Sequence, residues 1–181
     1  MKLINFLLHL KLLTKIFKMK KLLLSIALVT FCFTANAQFS LGAGVGIPTG
    51  DASDITSVSY NLNATYMFQA ESDFKFGLSA SYLVFSGKTI DLGGLGELDL
   101  GNYSWLPIAT VLNYNLSDKL TVGSDVGYGI GLSPEGIGGG FYLRPNVSYA
   151  VGDRTSFNLN YSTISDDGSI SSFGLGLAYQ F

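Results

Sequence analysis

The feature that most constrains this chain is an alternation of large apolar residues with small or polar ones, which runs from residue 39 to the last residue. Successive side chains of a β-strand point to opposite faces, so this period of two predicts strands with two unlike faces. In the first segment, FSLGAGVGI, large residues such as Leu41, Val45 and Ile47 alternate with glycine. Eight such segments follow one another, each of about ten residues, a length that crosses a bilayer when the strand is tilted.

The region before the alternation predicts a secretory signal peptide. A short basic start at 19–21 precedes an apolar run at 22–33, and the A-N-A triplet at 35–37 supplies a cleavage site. The apolar run is too short to span a bilayer as a helix. A membrane-anchored N-terminus is the alternative. The predicted parts are an upstream start extension over 1–18, a signal peptide over 19–37 and a barrel domain over 38–181.

The chain that follows this leader is acidic and carries few reactive groups. All 13 acidic residues but only five basic ones lie after residue 37, which gives a net charge of −8. The single histidine, His9, and the single cysteine, Cys32, both fall before that point. The mature chain therefore has neither imidazole nor thiolate, and the absence of histidine removes the usual general base. We predict no enzymatic activity, no catalytic, cofactor or metal site, and no nucleic-acid partner.

The connections between the predicted strands are short at one rim and longer at the other. Tight turns at 70–73, 116–119 and 152–155 alternate with four longer connections that carry most of the acidic residues. This asymmetry is typical of outer-membrane barrels, as are aromatic residues near both ends of the apolar runs. The residues that we assign to the aromatic girdle at the loop rim are Tyr60, Tyr82, Tyr103, Trp105, Tyr128, Phe141 and Phe173. A secreted soluble barrel is the alternative, but its large residues would point inward and overfill so narrow an interior.

These features resemble the small outer-membrane β-barrels of the OmpA/OmpX type, especially the short Bacteroidetes-like versions, over residues 38–181. The resemblance implies an all-β, eight-stranded antiparallel transmembrane up-and-down barrel in the Gram-negative outer membrane. It implies a monomer in contact with outer-membrane lipid and lipopolysaccharide. It also implies that the outer-membrane insertion machinery reads the last strand, which ends on an aromatic residue. The residues of this insertion signal are Phe173, Leu175, Leu177, Tyr179 and Phe181.

Three charged residues fall on the small-residue face of the predicted strands: Lys75, Asp125 and Arg144. A Lys or Arg on the lipid face costs about 2–4 kcal/mol at the bilayer midplane, so we predict that all three point into the lumen. Asp125 and Arg144 lie on strands joined by one loop. We predict that they form an ion pair that blocks water flow, and two separately hydrated charges are the alternative.

The longest predicted loop, 87–102, is too apolar for a plain solvated loop. Two short alternating stretches flank a glycine-rich turn, which predicts a two-stranded ribbon beyond the membrane. Its edges could add a strand from a host or cell-surface protein. A disordered glycine-rich loop is the alternative. The ribbon residues are Thr89, Ile90, Asp91, Leu92, Glu97, Leu98, Asp99 and Leu100.

The sequence therefore predicts a non-enzymatic outer-membrane barrel with a structural or surface-interaction role through its extracellular loops. The alternative function is a narrow porin-like channel for small solutes. Acidic loops could also hold Ca²⁺ or Mg²⁺ that bridges to lipopolysaccharide phosphates. Solvated carboxylates are the favoured interpretation, because no loop matches a calcium-binding spacing.

Overall fold

The computed structural model of the protein describes residues 39–68, 72–91, 93, 96–166 and 168–181. The predicted start extension and signal peptide lie outside the described residues and stay predictions. No helix in the described ranges is long and apolar enough to span a membrane.

Eight long strands form a closed antiparallel barrel in which every strand pairs with its two neighbours. Pairing follows chain order around the barrel, and the last strand returns to pair with the first. This arrangement confirms the predicted up-and-down barrel. The barrel strands are β1 (Phe39–Thr49), β2 (Thr56–Met67), β3 (Phe74–Gly87), β6 (Asn102–Asn115), β7 (Leu120–Ser133), β8 (Gly140–Ala150), β9 (Thr155–Ser165) and β10 (Ser169–Gln180).

Three short elements lie in the connections between barrel strands. A single helical turn, α1 (Ala52–Ile55), links β1 to β2. The connection from β3 to β6 contains β4 (Thr89–Asp91) and β5 (Glu97–Asp99), which pair only with each other.

The two faces of the barrel differ as the alternation predicts. On the outer face large apolar side chains are exposed, as at Leu62 and Leu175, the latter 62 % exposed. On the inner face a residue of the same type, Leu83, is only 3 % exposed. Apolar surface of this extent facing water would be unfavourable, whereas it suits the hydrocarbon core of a bilayer.

Glycines on the inner face allow close contacts where β1 closes the barrel. Gly46 pairs with Ser59 on β2 and with Gly174 on β10, and Ser172 lies two residues before Gly174 on the same face of β10. The two serine hydroxyls meet across the intervening strand in a 2.6 Å hydrogen bond. A methyl group on Gly46 would occupy the place of these hydroxyls, so glycine is needed here for close approach of the neighbouring strands.

One predicted loop is wrong. The connection between β9 and β10, expected to be one of four longer loops, is short, because β9 ends at Ser165 and β10 begins at Ser169. Ser165 and Ser169 still pair, and the Asp166 N–H donates to the Gly168 carbonyl oxygen at 2.9 Å. The polar residues that the sequence predicts to be a loop therefore extend the two strands. Strand pairing satisfies their backbone hydrogen-bonding groups.

The seam at Gly46 gives a stability prediction. Gly46→Ala should lower the free energy of unfolding by about 1–3 kcal/mol, because the new methyl group overpacks the Ser59–Ser172 contact. Gly152→Ala is the matched control, since a Cβ there would meet no atom within 4 Å, and it should stay within about 0.5 kcal/mol of the parent. Urea unfolding in lipid vesicles measures both. Equal stability of the two variants would contradict the proposed packing of the seam.

Candidate functional site

The centre of the lumen contains an ion pair. Arg144 Nη2 lies 2.6 Å from Asp125 Oδ2, and the two residues occupy directly paired positions of β7 and β8. Ser79 on β3 donates a second hydrogen bond to the same carboxylate oxygen, at 3.0 Å. Asp125 is 1 % exposed and Arg144 is 9 % exposed. The pair thus ties three strands together across the interior.

This polar group is only partly satisfied by protein atoms. Asp125 Oδ1 and Arg144 Nε are buried and have no hydrogen-bond partner among the described residues. Desolvation of such a pair offsets much of its attraction, so it contributes little net stability while both partners are present. Removal of one partner is costly, however, because it leaves an uncompensated charge in the lumen.

An apolar cluster fills the lumen on the loop side of the ion pair. Phe85 and Trp105 contact edge to face, with ring centroids 6.0 Å apart and planes at 90°. Trp105 Nε1 donates to the Gly138 carbonyl oxygen at 3.1 Å, so its one polar group is satisfied. Side chains that exclude solvent from this level of the barrel are Leu83, Phe85, Trp105, Ala109, Tyr142 and Ile164.

The assignment of Trp105 and Tyr103 to the outer aromatic girdle is wrong. Trp105 is buried in the lumen cluster, and Tyr103 is partly buried against it. On β6 the inward face continues from Pro107 to Trp105 with the same period of two. The phase of the alternation along β6 predicts this inward orientation from the sequence alone. The large size of the two side chains, taken by itself, predicts the outward orientation.

The other half of the lumen is polar. Asparagine side chains of one strand lie against glycines of the next, as Asn61 does against Gly44 and Asn113 against Gly123. Lys75, the third predicted lumen charge, is paired in register with Asn113 near the tight-turn rim. No ion pair involves Lys75 within the described ranges. The structure therefore brings together two of the three predicted lumen charges and leaves the third apart.

The loop rim carries the ribbon formed by β4 and β5. Ile90 pairs with Leu98, and both side chains are exposed on one face, at 41 % and 48 %. Thr89 and Asp91 pair with Asp99 and Glu97, which places three carboxylates on the opposite face. Leu92 lies outside the described residues, and Leu100 follows the ribbon without belonging to it.

The base of the ribbon is attached to the neighbouring connection through Lys88. Its ammonium group donates to the Ser53 carbonyl oxygen at 2.5 Å, and its backbone N–H donates to the Ile55 carbonyl oxygen at 2.8 Å. The Leu100 N–H in turn donates to the Lys88 carbonyl oxygen at 3.1 Å. Both ends of the ribbon are therefore held by the barrel rim.

The residues assigned to the insertion signal lie at the closing strand. On β10 the alternate large residues Phe173, Leu175, Leu177 and Tyr179 are exposed on the outer face. Phe181 follows the strand, and its N–H donates to the Phe39 carbonyl oxygen at 3.0 Å. Its ring lies 5.1 Å from that of Tyr179.

Comparison with known proteins gives one family and a set of similar folds. The profile of the family described as "Putative MetA-pathway of phenol degradation" matches residues 11–181. No curated protein matches the chain.

Solved structures that resemble this fold are transmembrane barrels. A de novo designed transmembrane β-barrel is 16 % identical, covers 82 % of this chain and 98 % of its own, and has a TM-score of 0.54. The Yersinia pestis outer membrane protein Ail in a nanodisc is 14 % identical, covers 81 % and 100 %, and has a TM-score of 0.53. Ail from the same organism in complex with the heparin analogue sucrose octasulfate is 13 % identical, covers 80 % and 97 %, and has a TM-score of 0.53. At these identities the likeness shows the fold alone.

The lumen geometry predicts the outcome of breaking the ion pair. Arg144→Ala should lower the free energy of unfolding by about 3–5 kcal/mol, because Asp125 loses its partner while buried. The double variant Asp125→Asn with Arg144→Ala should recover part of this loss. Neither variant should conduct in planar bilayers, since the apolar cluster still fills the lumen. Discrete channels from Arg144→Ala alone would show that the ion pair is the only barrier.

Proposed function

This chain belongs to the family described as "Putative MetA-pathway of phenol degradation", whose profile matches residues 11–181, and we propose that it is a non-conducting surface-interaction protein of the Gram-negative outer membrane. It acts as a monomer, has no enzymatic activity, and engages its partner through the loop rim. A signal peptide directs it across the inner membrane.

The packed lumen is the observation that carries this proposal. Phe85 is fully buried, and Tyr142 and Leu83 are nearly so, in a barrel of only eight strands. Side chains buried in this way fill the lumen at their level, which supports a barrel that does not pass solutes. With the interior filled and the outer face covered by lipid, the two rims are the surfaces left for specific contacts.

The ribbon is the part of the loop rim best suited to a protein partner. Its outer backbone edges are free of barrel pairing, so they can accept a partner strand. The exposed Ile90–Leu98 pair adds apolar area, and the carboxylates opposite give the ribbon charge selectivity. We place the contact with a host or cell-surface protein here.

Charge at the loop rim favours a basic partner over a sulfated glycan. The described connections at this rim contain seven acidic residues and one basic residue, Lys88, whose ammonium is already bonded. Ail has been crystallised with a polysulfated heparin analogue, but such a ligand would be repelled by an acidic rim. The acidic residues are Asp51, Asp54, Asp91, Glu97, Asp99, Glu135 and Asp166.

A narrow channel for small solutes remains the second candidate, and the description of the family supports it. In a family described by phenol degradation, such a barrel could carry phenolic compounds across the outer membrane into the cell. The filled lumen disfavours that use for this chain, because a ring-sized solute would have to displace the apolar cluster. The absence of ion conductance in planar bilayers would support the surface role, and stable channels would support uptake of solutes.

Assembly partners follow from the closing strand and the outer face. We propose that the insertion machinery reads the outward residues of β10 together with Phe181. They share one face of the last strand, so they form a continuous apolar surface both before and after β10 pairs with β1. Afterwards the same side chains contact outer-membrane lipid and lipopolysaccharide.

The surface role requires that the loop rim face outward. The chain has no cysteine after residue 37, so single cysteines can report topology in intact cells. A membrane-impermeant maleimide should label Glu97→Cys on the ribbon, and should label Asp118→Cys, in the tight turn between β6 and β7, only after permeabilisation. Labelling of Asp118→Cys alone in intact cells would place the ribbon in the periplasm and defeat the proposal.

A further inference from the structure

The outward face of β9 and β10 carries hydroxyl groups near the loop rim. On β9 the alternation turns Thr163 and Ser165 outward, because Ile164 between them belongs to the lumen cluster. On β10 Ser171 and Ser169 face the same way, since they pair directly with Thr163 and Ser165. Four hydroxyl side chains therefore occupy two adjacent rows on the outside of these paired strands.

Other barrel strands carry large apolar residues at this level. Paired strands start together at the tight-turn rim, so residues counted from that end lie at comparable depths. In this count Thr163 is the ninth residue of β9 and Ser171 is the tenth of β10. Outward residues nine to eleven on other strands are exposed and apolar, as at Ile47 on β1, Ile130 on β7 and Phe141 on β8. The apolar band thus ends closer to the tight-turn rim on β9 and β10.

The four hydroxyls are only partly used within the protein. Ser171 Oγ donates to Thr163 Oγ1 at 2.9 Å, and Ser171 is only 6 % exposed. Because Thr163 accepts this bond, its own O–H is left to donate. Ser165 is partly exposed and Ser169 is exposed. Hydroxyls without partners are unfavourable in hydrocarbon, so this surface suits a polar layer better than acyl chains.

We propose that these four hydroxyls form a contact site for the head region of outer-leaflet lipopolysaccharide, which descends along β9 and β10. That head region presents sugar hydroxyls and acyl-ester carbonyls, which accept hydrogen bonds from serine and threonine. Phe141 pairs with Ser165, so an apolar ring lies beside the hydroxyls and contacts the first part of an acyl chain. The inference rests on the proposed function, since it requires that the loop rim face outward.

The depth of the site in the bilayer is the first test. The chain has no cysteine after residue 37, so a nitroxide can be attached at Thr163→Cys. Phe141→Cys is the matched control, because it lies at nearly the same distance from the tight-turn rim. In nanodiscs that contain lipopolysaccharide, the label at Thr163→Cys should collide mainly with a water-soluble nickel chelate, and the label at Phe141→Cys mainly with oxygen.

Two outcomes of the depth measurement would overturn the site. Equal depth at the two positions would mean that the hydroxyls face acyl chains. A label at Thr163→Cys that neither reagent reaches would mean that protein, such as a second copy of the chain, covers this face.

The identity of the lipid is tested with Thr163→Val, which keeps the shape of the side chain and removes its hydroxyl. Energy transfer from Trp105, the sole tryptophan, to dansyl-labelled lipid A in phosphatidylcholine nanodiscs measures the relative affinity for lipid A. Thr163→Val should weaken this affinity about threefold to tenfold. Thr110→Val should leave it unchanged, because Thr110 is an exposed threonine on β6, outside the site.

An equal loss in the two valine variants would overturn the role of Thr163. An equal affinity of the parent protein for dansyl-labelled lipid A and dansyl-labelled phosphatidylethanolamine would overturn recognition of lipopolysaccharide. Both measurements use purified protein and do not depend on its orientation in cells. They can therefore fail while the labelling of Glu97→Cys in intact cells still supports the proposed function.

Discussion

The interaction on which the rest of the structure depends is the pairing of the last barrel strand with the first. In hydrocarbon no water is available for backbone N–H and C=O groups, so a sheet can cross a membrane only if it has no open edge. Here β1 and β10 pair from Ser40 with Gln180 to Thr49 with Ser171. Beyond that register, the Phe181 N–H still bonds to Phe39. This explains why the alternation continues to the last residues of the chain.

Closure with eight strands leaves a narrow interior, and the inward residues are adapted to it. Small residues such as Gly46 let neighbouring hydroxyls meet, and larger residues such as Phe85 and Trp105 fill the space that remains on the loop side. The Asp125–Arg144 pair lies next to this cluster and adds a polar link between strands. This filled interior supports the proposal that the barrel makes its specific contacts at the rims, where the ribbon lies.

The sequence predicted those features that follow from a local period. The orientation of Leu175 and the inward positions of Asp125 and Arg144 need only the phase of one strand. The size of Trp105 predicts the outer girdle, whereas the phase of the alternation on β6 predicts the inward position that is observed. The polar residues on either side of Asp166 predict a loop, but polar residues also form paired strands, as Ser165 and Ser169 do. The close approach of Gly138 and Asp166 at the loop rim could not be predicted, since it depends on how two connections distant in sequence are placed by the barrel.

The most direct test of the central claim, that one face contacts lipid while the other is packed and dry, compares leucines on the two faces. Leu62 and Leu175 point outward, and Leu83 points inward. With leucine methyl groups labelled for NMR in nanodiscs, the account predicts strong nuclear Overhauser effects from lipid acyl chains to Leu62 and Leu175, and none from lipid or water to Leu83. Water contacts at Leu83 would mean an open lumen, and the absence of acyl-chain contacts at Leu62 and Leu175 would contradict the transmembrane barrel itself.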